Sequence, residues 1–204
     1  MKFAKGRIAV FAKQPLAGRV KTRLIPATGA IGAARIHRKL VVQTVATVSQ
    51  SDLAPVTLWV APNRWHPFTQ RLQQYYSFEL CVQHGLDLGE RMASAFRVML
   101  SDAPYALLIG TDCPSIDASY LQQAFDVLEQ GADAVFGPAE DGGYVLVGLR
   151  RGASLPFSAV EWGSGRVMQQ TRRLMRASGM EWKELKPLWD VDYWRDVRRM
   201  RRLD

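Results

Sequence analysis

The residues best suited to chemistry fall into four segments. Lys13-Gln14-Pro15-Leu16-Ala17-Gly18-Arg19-Val20-Lys21-Thr22-Arg23 gathers four cations and a glycine in one stretch. Arginine gives forked hydrogen bonds to phosphate, lysine a mobile point charge, and glycine lets backbone amides approach a ligand. The stretch lacks the first glycine of a G-x-x-x-x-G-K-[ST] loop and is not G-x-G-x-x-G. It reads either as a phosphate-binding loop or as an ordinary basic surface loop. Gly110-Thr111-Asp112-Cys113-Pro114 places a single acid after an apolar run. Asp112 there suits a divalent metal, because Mg²⁺ is usually held by one or two carboxylates together with substrate phosphates. The plainer alternative is a turn cap.

Gly137-Pro138-Ala139-Glu140-Asp141-Gly142-Gly143-Tyr144 carries two acids and three glycines. Asp-Gly is a strong hairpin signal. The functional alternative is a close approach of backbone to substrate at Gly142 and Gly143, with Asp141 and Tyr144 as polar contacts. In Trp189-Asp190-Val191-Asp192, residues two apart face one side of an extended chain. Asp192 is expected to complete the metal shell begun at Asp112, with the choice between Asp190 and Asp192 open. Alternatively Asp192 is the N-cap of a last helix with Asp196 in its first turn.

Lesser candidates are Gly85 to Met92, with Arg91 as a substrate contact, and Glu161-Trp162-Gly163-Ser164-Gly165, which could close over an acceptor. Cys113 reads as a packed thiol, since no histidine lies near it in sequence to activate it. His37, His66 and His84 have no metal-ligand spacing and read as surface or core-edge residues.

Short apolar runs and longer amphipathic ones alternate around these segments. Strands are predicted at 7–12, 56–60, 78–83, 105–109, 132–137 and 144–149. Helices are predicted at 30–49, 65–76, 88–100, 119–129 (capped by Asp117 or Ser119), 164–177 (ended by Gly179) and 193–202. That alternation implies an α/β fold of three α/β/α layers with a mostly parallel central sheet, as one domain over 1–204. Ligands of such sheets bind beyond the carboxyl ends of the strands. The segments after the first, fourth and fifth predicted strands should therefore meet at one site.

The 204 residues are 48% hydrophobic and 23% charged, which suits a packed globular chain. No run approaches the roughly 20 apolar residues of a membrane span, and the basic N-terminus lacks a signal-length apolar stretch. Two cysteines make a disulfide framework improbable, so a cytoplasmic setting is expected. The net charge of +8 can draw anions. No aromatic RNA-binding motif accompanies it, so no specific nucleic acid is expected as partner.

Five ordered segments resemble a known family: Phe11 to Leu24, Asp87 to Met92, Ile109 to Pro114, Gly137 to Tyr144, and Asp190-Val191-Asp192. It is the group of bacterial GT-A-like transferases called radical-SAM/selenodomain-associated transferase 1, some described as arsenosugar-biosynthesis glycosyltransferases. The resemblance spans nearly the whole chain. It implies a Rossmann-like nucleotide-diphospho-sugar transferase fold, with a nucleotide at the C-terminal edge of the sheet. Lys13 to Arg23 would contact base and phosphates, and Asp112 would hold Mg²⁺ or Mn²⁺. Where glycosyltransferases of that fold carry D-x-D, this chain has Thr111-Asp112-Cys113 and keeps one acid.

The leading expectation is therefore a metal-dependent transferase. Lys21, Asp112 and Asp141 would be catalytic. Lys13, Gly18, Arg19, Arg23, Arg91, Gly142, Gly143 and Tyr144 would bind substrate, and Asp112 and Asp192 the metal. Its partners would be a nucleotide or nucleotide-sugar donor and a small acceptor. Glycosyl transfer leads. Nucleotidyl transfer with release of pyrophosphate, and a non-catalytic nucleotide-binding module, are the alternatives. The base, the sugar, the acceptor and the oligomeric state stay open.

Overall fold

The computed structural model describes residues 1–153, 155 and 157–202. Each sheet strand is short and apolar, and its alternate residues are divided between two helical layers. Strand β1 (Arg7–Lys13) shows how. Ile8, Val10 and Ala12 enter one core with Val41, Val45, Leu121 and Phe125, while Ala9 and Phe11 enter a second core with Met92, Phe96 and Met175. A strand buried on both faces belongs in the middle of a three-layer fold.

The first core is closed by α1 (Ile25–Ser51) and α4 (Ala118–Glu129), the second by α3 (Leu88–Asp102) and α5 (Val167–Ser178). Asp87 and Asp117 cap α3 and α4 by accepting hydrogen bonds from the Glu90 and Tyr120 amides at 2.8 Å. Gly179 ends α5 in the left-handed conformation.

Strands β2 (Val56–Ala61), β3 (Glu79–Val82), β4 (Tyr105–Gly110), β5 (Ala134–Pro138), β6 (Tyr144–Arg150) and β7 (Trp182–Glu184) complete a seven-stranded sheet in the order β3-β2-β1-β4-β6-β5-β7. β3, β2, β1 and β4 run parallel, β6 is antiparallel to both β4 and β5, and β7 is parallel to β5. β5 thus points the same way as β4, and both deliver their following loops to one edge. The expected α/β class and mostly parallel sheet stand.

Several local expectations change. Helix α2 (Pro67–Leu72) covers only half of the span 65–76. His66 is extended before Pro67, as the residue before proline tends to be, and caps the helix through Nδ1. Trp65 and Tyr75 at the two ends are exposed, so no packed face extends the helix. α1 begins at Ile25 rather than Ala30, with a kink at Gly29 (φ 69°, ψ 166°) that marks the expected start. α5 begins at Val167 rather than Ser164, leaving 161–166 as a strap. β7 is three residues long, two of them charged, too short for periodicity to register.

The last helix, α6 (Trp194–Met200), is capped at Tyr193, not Asp192. The Asp196 carboxylate accepts from the amides of both Asp192 and Tyr193, which leaves the Asp192 side chain available elsewhere. No helix among the described residues is long and apolar enough to cross a membrane.

Candidate active site

The loop after β1 is pinned before it does anything else. The Gln14 side chain is buried and its Nε2 donates to the Asn63 carbonyl at 2.9 Å and to Thr69 Oγ1 at 3.3 Å. The His37 Nε2 donates to the Lys13 carbonyl at 2.9 Å, so the neutral ring must carry its proton on Nε2. Burial lowers the His37 pKa, and the nearby Lys21 and Lys13 charges act in the same direction. Val20 and Leu24 are buried on either side of Lys21. Between them Lys21 takes the left-handed conformation (φ 46°, ψ 45°), uncommon for a residue with a β-carbon.

That turn sends the Lys21 side chain inward, where it is 5% exposed. Its Nζ lies 2.9 Å from Asp112 Oδ1 and 3.4 Å from Asp192 Oδ1. Arg23 pairs with the other oxygen of Asp192 and stacks over the Tyr193 ring at 5.6 Å.

Asp112 follows β4, and its carbonyl accepts from the Val191 amide at 2.9 Å. The 188–192 segment lies beside the β5–β6 hairpin: the Leu188 amide donates to Pro138, and the Glu140 amide donates back to Leu188. Trp189 and Val191 are buried against α1 and α6. Alternation then turns Asp190 and Asp192 toward the β4 edge. Burial first, then the charges of Asp112 and Asp141, raise the Asp190 pKa to about 7. The Cys113 thiol is pushed up to about 11 by burial and touches Ser115 Oγ at 3.4 Å, which fits the packed thiol expected there and not a nucleophile.

The hairpin expected at 138–144 is present and also forms a wall of the site. Asp141 Oδ1 accepts from the Gly143 amide at 2.9 Å. Gly142 (φ +91°) meets the strap so closely that a β-carbon would stand 2.0 Å from the Gly165 carbonyl oxygen. Its own carbonyl accepts from Met168 at 2.8 Å, which docks the start of α5. Tyr144 packs between Phe136 and Trp162, and burial of its hydroxyl beside Thr171 raises its pKa. Trp162 Nε1 donates to the Phe157 carbonyl at 3.1 Å. A β-carbon on Gly89 would meet that same Nε1 at 2.5 Å, so only a glycine lets α3 and the strap close together.

Two cavities adjoin along Arg23, Asp112, Asp190 and Asp192. One, of about 540 Å³, is lined by Lys13, Arg19, Lys21, Arg23, Gln83 and His37. The other, of about 650 Å³, is lined by Leu88, Met92, Asp141, Gly143, Tyr144 and Trp162, among others. Both lie in the size range of small-molecule sites.

Lys13, Arg19, Lys21, Arg23, Asp112, Asp141, Gly143, Tyr144 and Asp192 are thus brought together. Gly18, Arg91 and Gly142 do not line either cavity. Gly18 sits in the loop with φ +79°, Arg91 donates to the Gly85 carbonyl at 3.0 Å, and Gly142 serves the strap contact. Sequence reasoning missed Trp189, Tyr193 and Arg195 as lining residues. It also missed the Arg199–Glu140 pair at 2.8 and 3.1 Å, in which Arg199 lies 4.3 Å over the Trp189 ring. Fifty-nine residues separate that pair, and no local pattern announces it.

A crystal structure from Desulfovibrio desulfuricans G20, described as a "putative nucleotide-diphospho-sugar transferase", is 32% identical to this chain. It matches with a TM-score of 0.84, covering 93% of this chain and 83% of that one. A 4-diphosphocytidyl-2C-methyl-D-erythritol synthase from Anaerococcus prevotii DSM 20548 matches at TM-score 0.64 and 8% identity, over 98% and 96% of the two chains. A CMP:2-keto-3-deoxy-manno-octonic acid synthetase complexed with CTP matches at 0.60 and 12%, over 98% of each. At such identities the last two share the fold alone. A search of curated proteins finds no match. Residues 44–164, more than half of the chain, match one family model, so the chain belongs to the family described as uncharacterized proteins conserved in bacteria, DUF2064.

Proposed function

We propose that this chain is a metal-dependent transferase that moves a glycosyl group from a nucleotide-diphospho-sugar to a small acceptor. The observation that carries the reading is Lys21, buried in the wall of the smaller cavity and paired with Asp112 and Asp192, which line both cavities. A lysine held there can neutralise phosphate charge in a partly dry site, where such neutralisation counts most. The 32% identical protein and the nucleotide-using fold relatives support a nucleotide-using transferase. Membership of the radical-SAM/selenodomain-associated group is part of this proposal and rests on the five segments.

Mg²⁺ or Mn²⁺ fits the donor set, which is oxygen only. Burial first, and then the neighbouring charges of Asp112 and Asp141, raise the Asp190 pKa, which places it in a crowded acidic corner beside Asp112. Among the described residues no three acidic, histidine or cysteine groups form a ligand cluster by themselves. Two carboxylates would therefore act with the donor's phosphates, the usual arrangement for Mg²⁺. Asp112 and Asp190 are best placed to hold the ion, and Asp192 to hold Lys21 and Arg23 against the phosphates. The ion would supply Lewis-acid neutralisation of the diphosphate.

Lys13 and Arg19 would bind the phosphates and Gln83 the nucleoside end of the smaller cavity. Lys21 and Arg23 would neutralise the nucleoside diphosphate as it takes the electron pair of the breaking sugar–oxygen bond. The acceptor oxygen bonds to the anomeric carbon, and Asp141 takes its proton. Trp162 and Tyr144 would cover the sugar and exclude water.

Nucleotidyl transfer is the second reading. Lys13, Arg19, Lys21 and Arg23 together carry charge enough for a triphosphate. An acceptor phosphate would then attack the α-phosphorus, and pyrophosphate would leave.

The test is a thermal-shift screen of nucleotide-sugars and nucleoside triphosphates, with and without Mg²⁺ or Mn²⁺. A ligand at 100 times its Kd stabilises by about 2.7 kcal/mol. Metal-dependent stabilisation by a nucleotide-sugar, lost in Asp112→Ala, supports glycosyl transfer, and a winning triphosphate supports the second reading. Binding without turnover of any candidate would leave a non-catalytic nucleotide-binding module, and no binding would sink all three.

A further inference from the structure

The two cavities differ in charge. The smaller is lined by Lys13, Arg19, Lys21 and Arg23 against Asp112, Asp190 and Asp192. The larger adds Glu140, Asp141 and Asp196 to those three acids, with only Arg23 and Arg195 as cations. Each of these arginines sits beside an acid. Arg23 pairs with Asp192, and Arg195 lies 3.5 Å from Asp196 and over Tyr193. Glu140 is answered by Arg199 from outside the cavity. Asp141 has no cation paired to it among the described residues, and Asp190 feels the charge of Lys21.

The floor of the larger cavity is apolar. Phe11, Leu88, Met92, Leu108 and Val147 line it, and Trp162 stands at one side with its indole N–H fixed to Phe157. Leu88, the first residue of α3, lines this floor and is also exposed.

A phosphate ester placed in the part of this cavity beside Asp141 would meet a carboxylate without a cation, while Arg23 faces the phosphate side and Arg195 already sits against Asp196. Like charges in a site of reduced dielectric repel strongly. A compound with an apolar face and a neutral or positive head would instead cover the apolar floor and face Asp141. We infer that the larger cavity takes a neutral or cationic hydroxyl compound with an apolar face, and excludes phosphate esters. Calling this compound the acceptor rests on the transferase reading, whereas the charge preference of the cavity does not. The preference also separates the two transfer chemistries, because nucleotidyl transfer to a phosphorylated molecule needs a phosphate in this cavity.

The test uses the full chain with ¹³C-methyl methionine, reading the Met92 methyl resonance assigned by Met92→Leu. Three probes share one ring and differ in charge: benzyl alcohol, benzyltrimethylammonium and benzyl phosphate. Each is titrated with and without Mn²⁺ plus UDP, GDP, CDP or ADP. The alcohol and the ammonium are expected to shift Met92, and benzyl phosphate to bind at least tenfold more weakly. Asp141→Asn should remove most of the ammonium's advantage over the alcohol. Trp162→Leu should weaken both.

Benzyl phosphate binding as tightly as the alcohol would overturn the inference and favour nucleotidyl transfer, with the transferase reading intact. Failure of every probe to move Met92 would also overturn it. Nucleotides that fail to bind while the charge preference is observed would sink the transferase reading and leave this inference standing.

Discussion

Lys21 Nζ stands 2.9 Å from Asp112 Oδ1, although the two residues are ninety-one positions apart and reach the site from different strands. The lysine is nearly enclosed and the aspartate is about half exposed, so the pair faces the cavity rather than the core. Partial exposure keeps its contribution to stability small, about 1 kcal/mol or less. Its larger effect is expected on charge that develops in the reaction. Lys21→Met should lower turnover by about 10²-fold, as loss of one electrostatic donor does in other enzymes. The melting temperature should move only a few degrees. A turnover within threefold of the parent protein would show that Lys21 is no part of the chemistry.

Asp190 and Asp192 are expected to separate when each is changed alone. Asp190→Asn should weaken Mn²⁺ binding in the presence of a nucleoside diphosphate, because the amide removes a carboxylate charge that couples to Asp112. Asp192→Asn should keep the ion and weaken the nucleotide, because Lys21 and Arg23 lose their shared partner. Electron paramagnetic titration of Mn²⁺ beside calorimetry of the nucleotide reads both. The opposite pattern would move the ion to Asp192.

His37 predicts a pH dependence of stability. Burial holds its pKa below the ordinary 6.5, so the folded chain favours the neutral ring. The unfolded chain then binds the proton more readily, and stability is lost as pH falls from about 6.5 through the folded value. Above 6.5 the contribution is fully present. His37→Gln can still donate to the Lys13 carbonyl without titrating. Denaturant unfolding of both proteins at pH 5 to 8 should show a shallower slope for the variant, and identical slopes would contradict the assignment.

Gly142→Ala should be among the costly single changes at the site. The residue has a positive φ, and the new methyl would stand 2.0 Å from the Gly165 carbonyl oxygen. Strain of this kind costs of order 1–3 kcal/mol. For a chain of this length that is a fall of roughly 2–12 °C in melting temperature. Gly18→Ala is the control, because a β-carbon there meets nothing within 4 Å. It shares the positive φ, so any difference between the two variants measures the strap contact.

The sequence by itself determined the layers and most of the strands. Ile8, Val10 and Ala12 alternating with Ala9 and Phe11 can be buried on both faces only in the middle of a covered sheet. The same logic put the loops after the first, fourth and fifth strands at one edge, where Lys21, Asp112 and Asp141 are found. Those features are local, being a periodicity of two or 3.6 and a break. What only the tertiary structure decided is which neighbours each polar group meets. Arg91 had the composition of a contact but turns to Gly85, and Gly142 serves the strap instead of a ligand. Asp192 loses its place as helix cap because Asp196 reaches back to two amides, and that frees it for Lys21 and Arg23. Arg199 meets Glu140 only once α6 has packed beside the hairpin. A short-range pattern fixes where a side chain points along its own element. Charge pairing depends on which elements lie within a few ångströms, and only the packed sheet and its two helical layers set that distance.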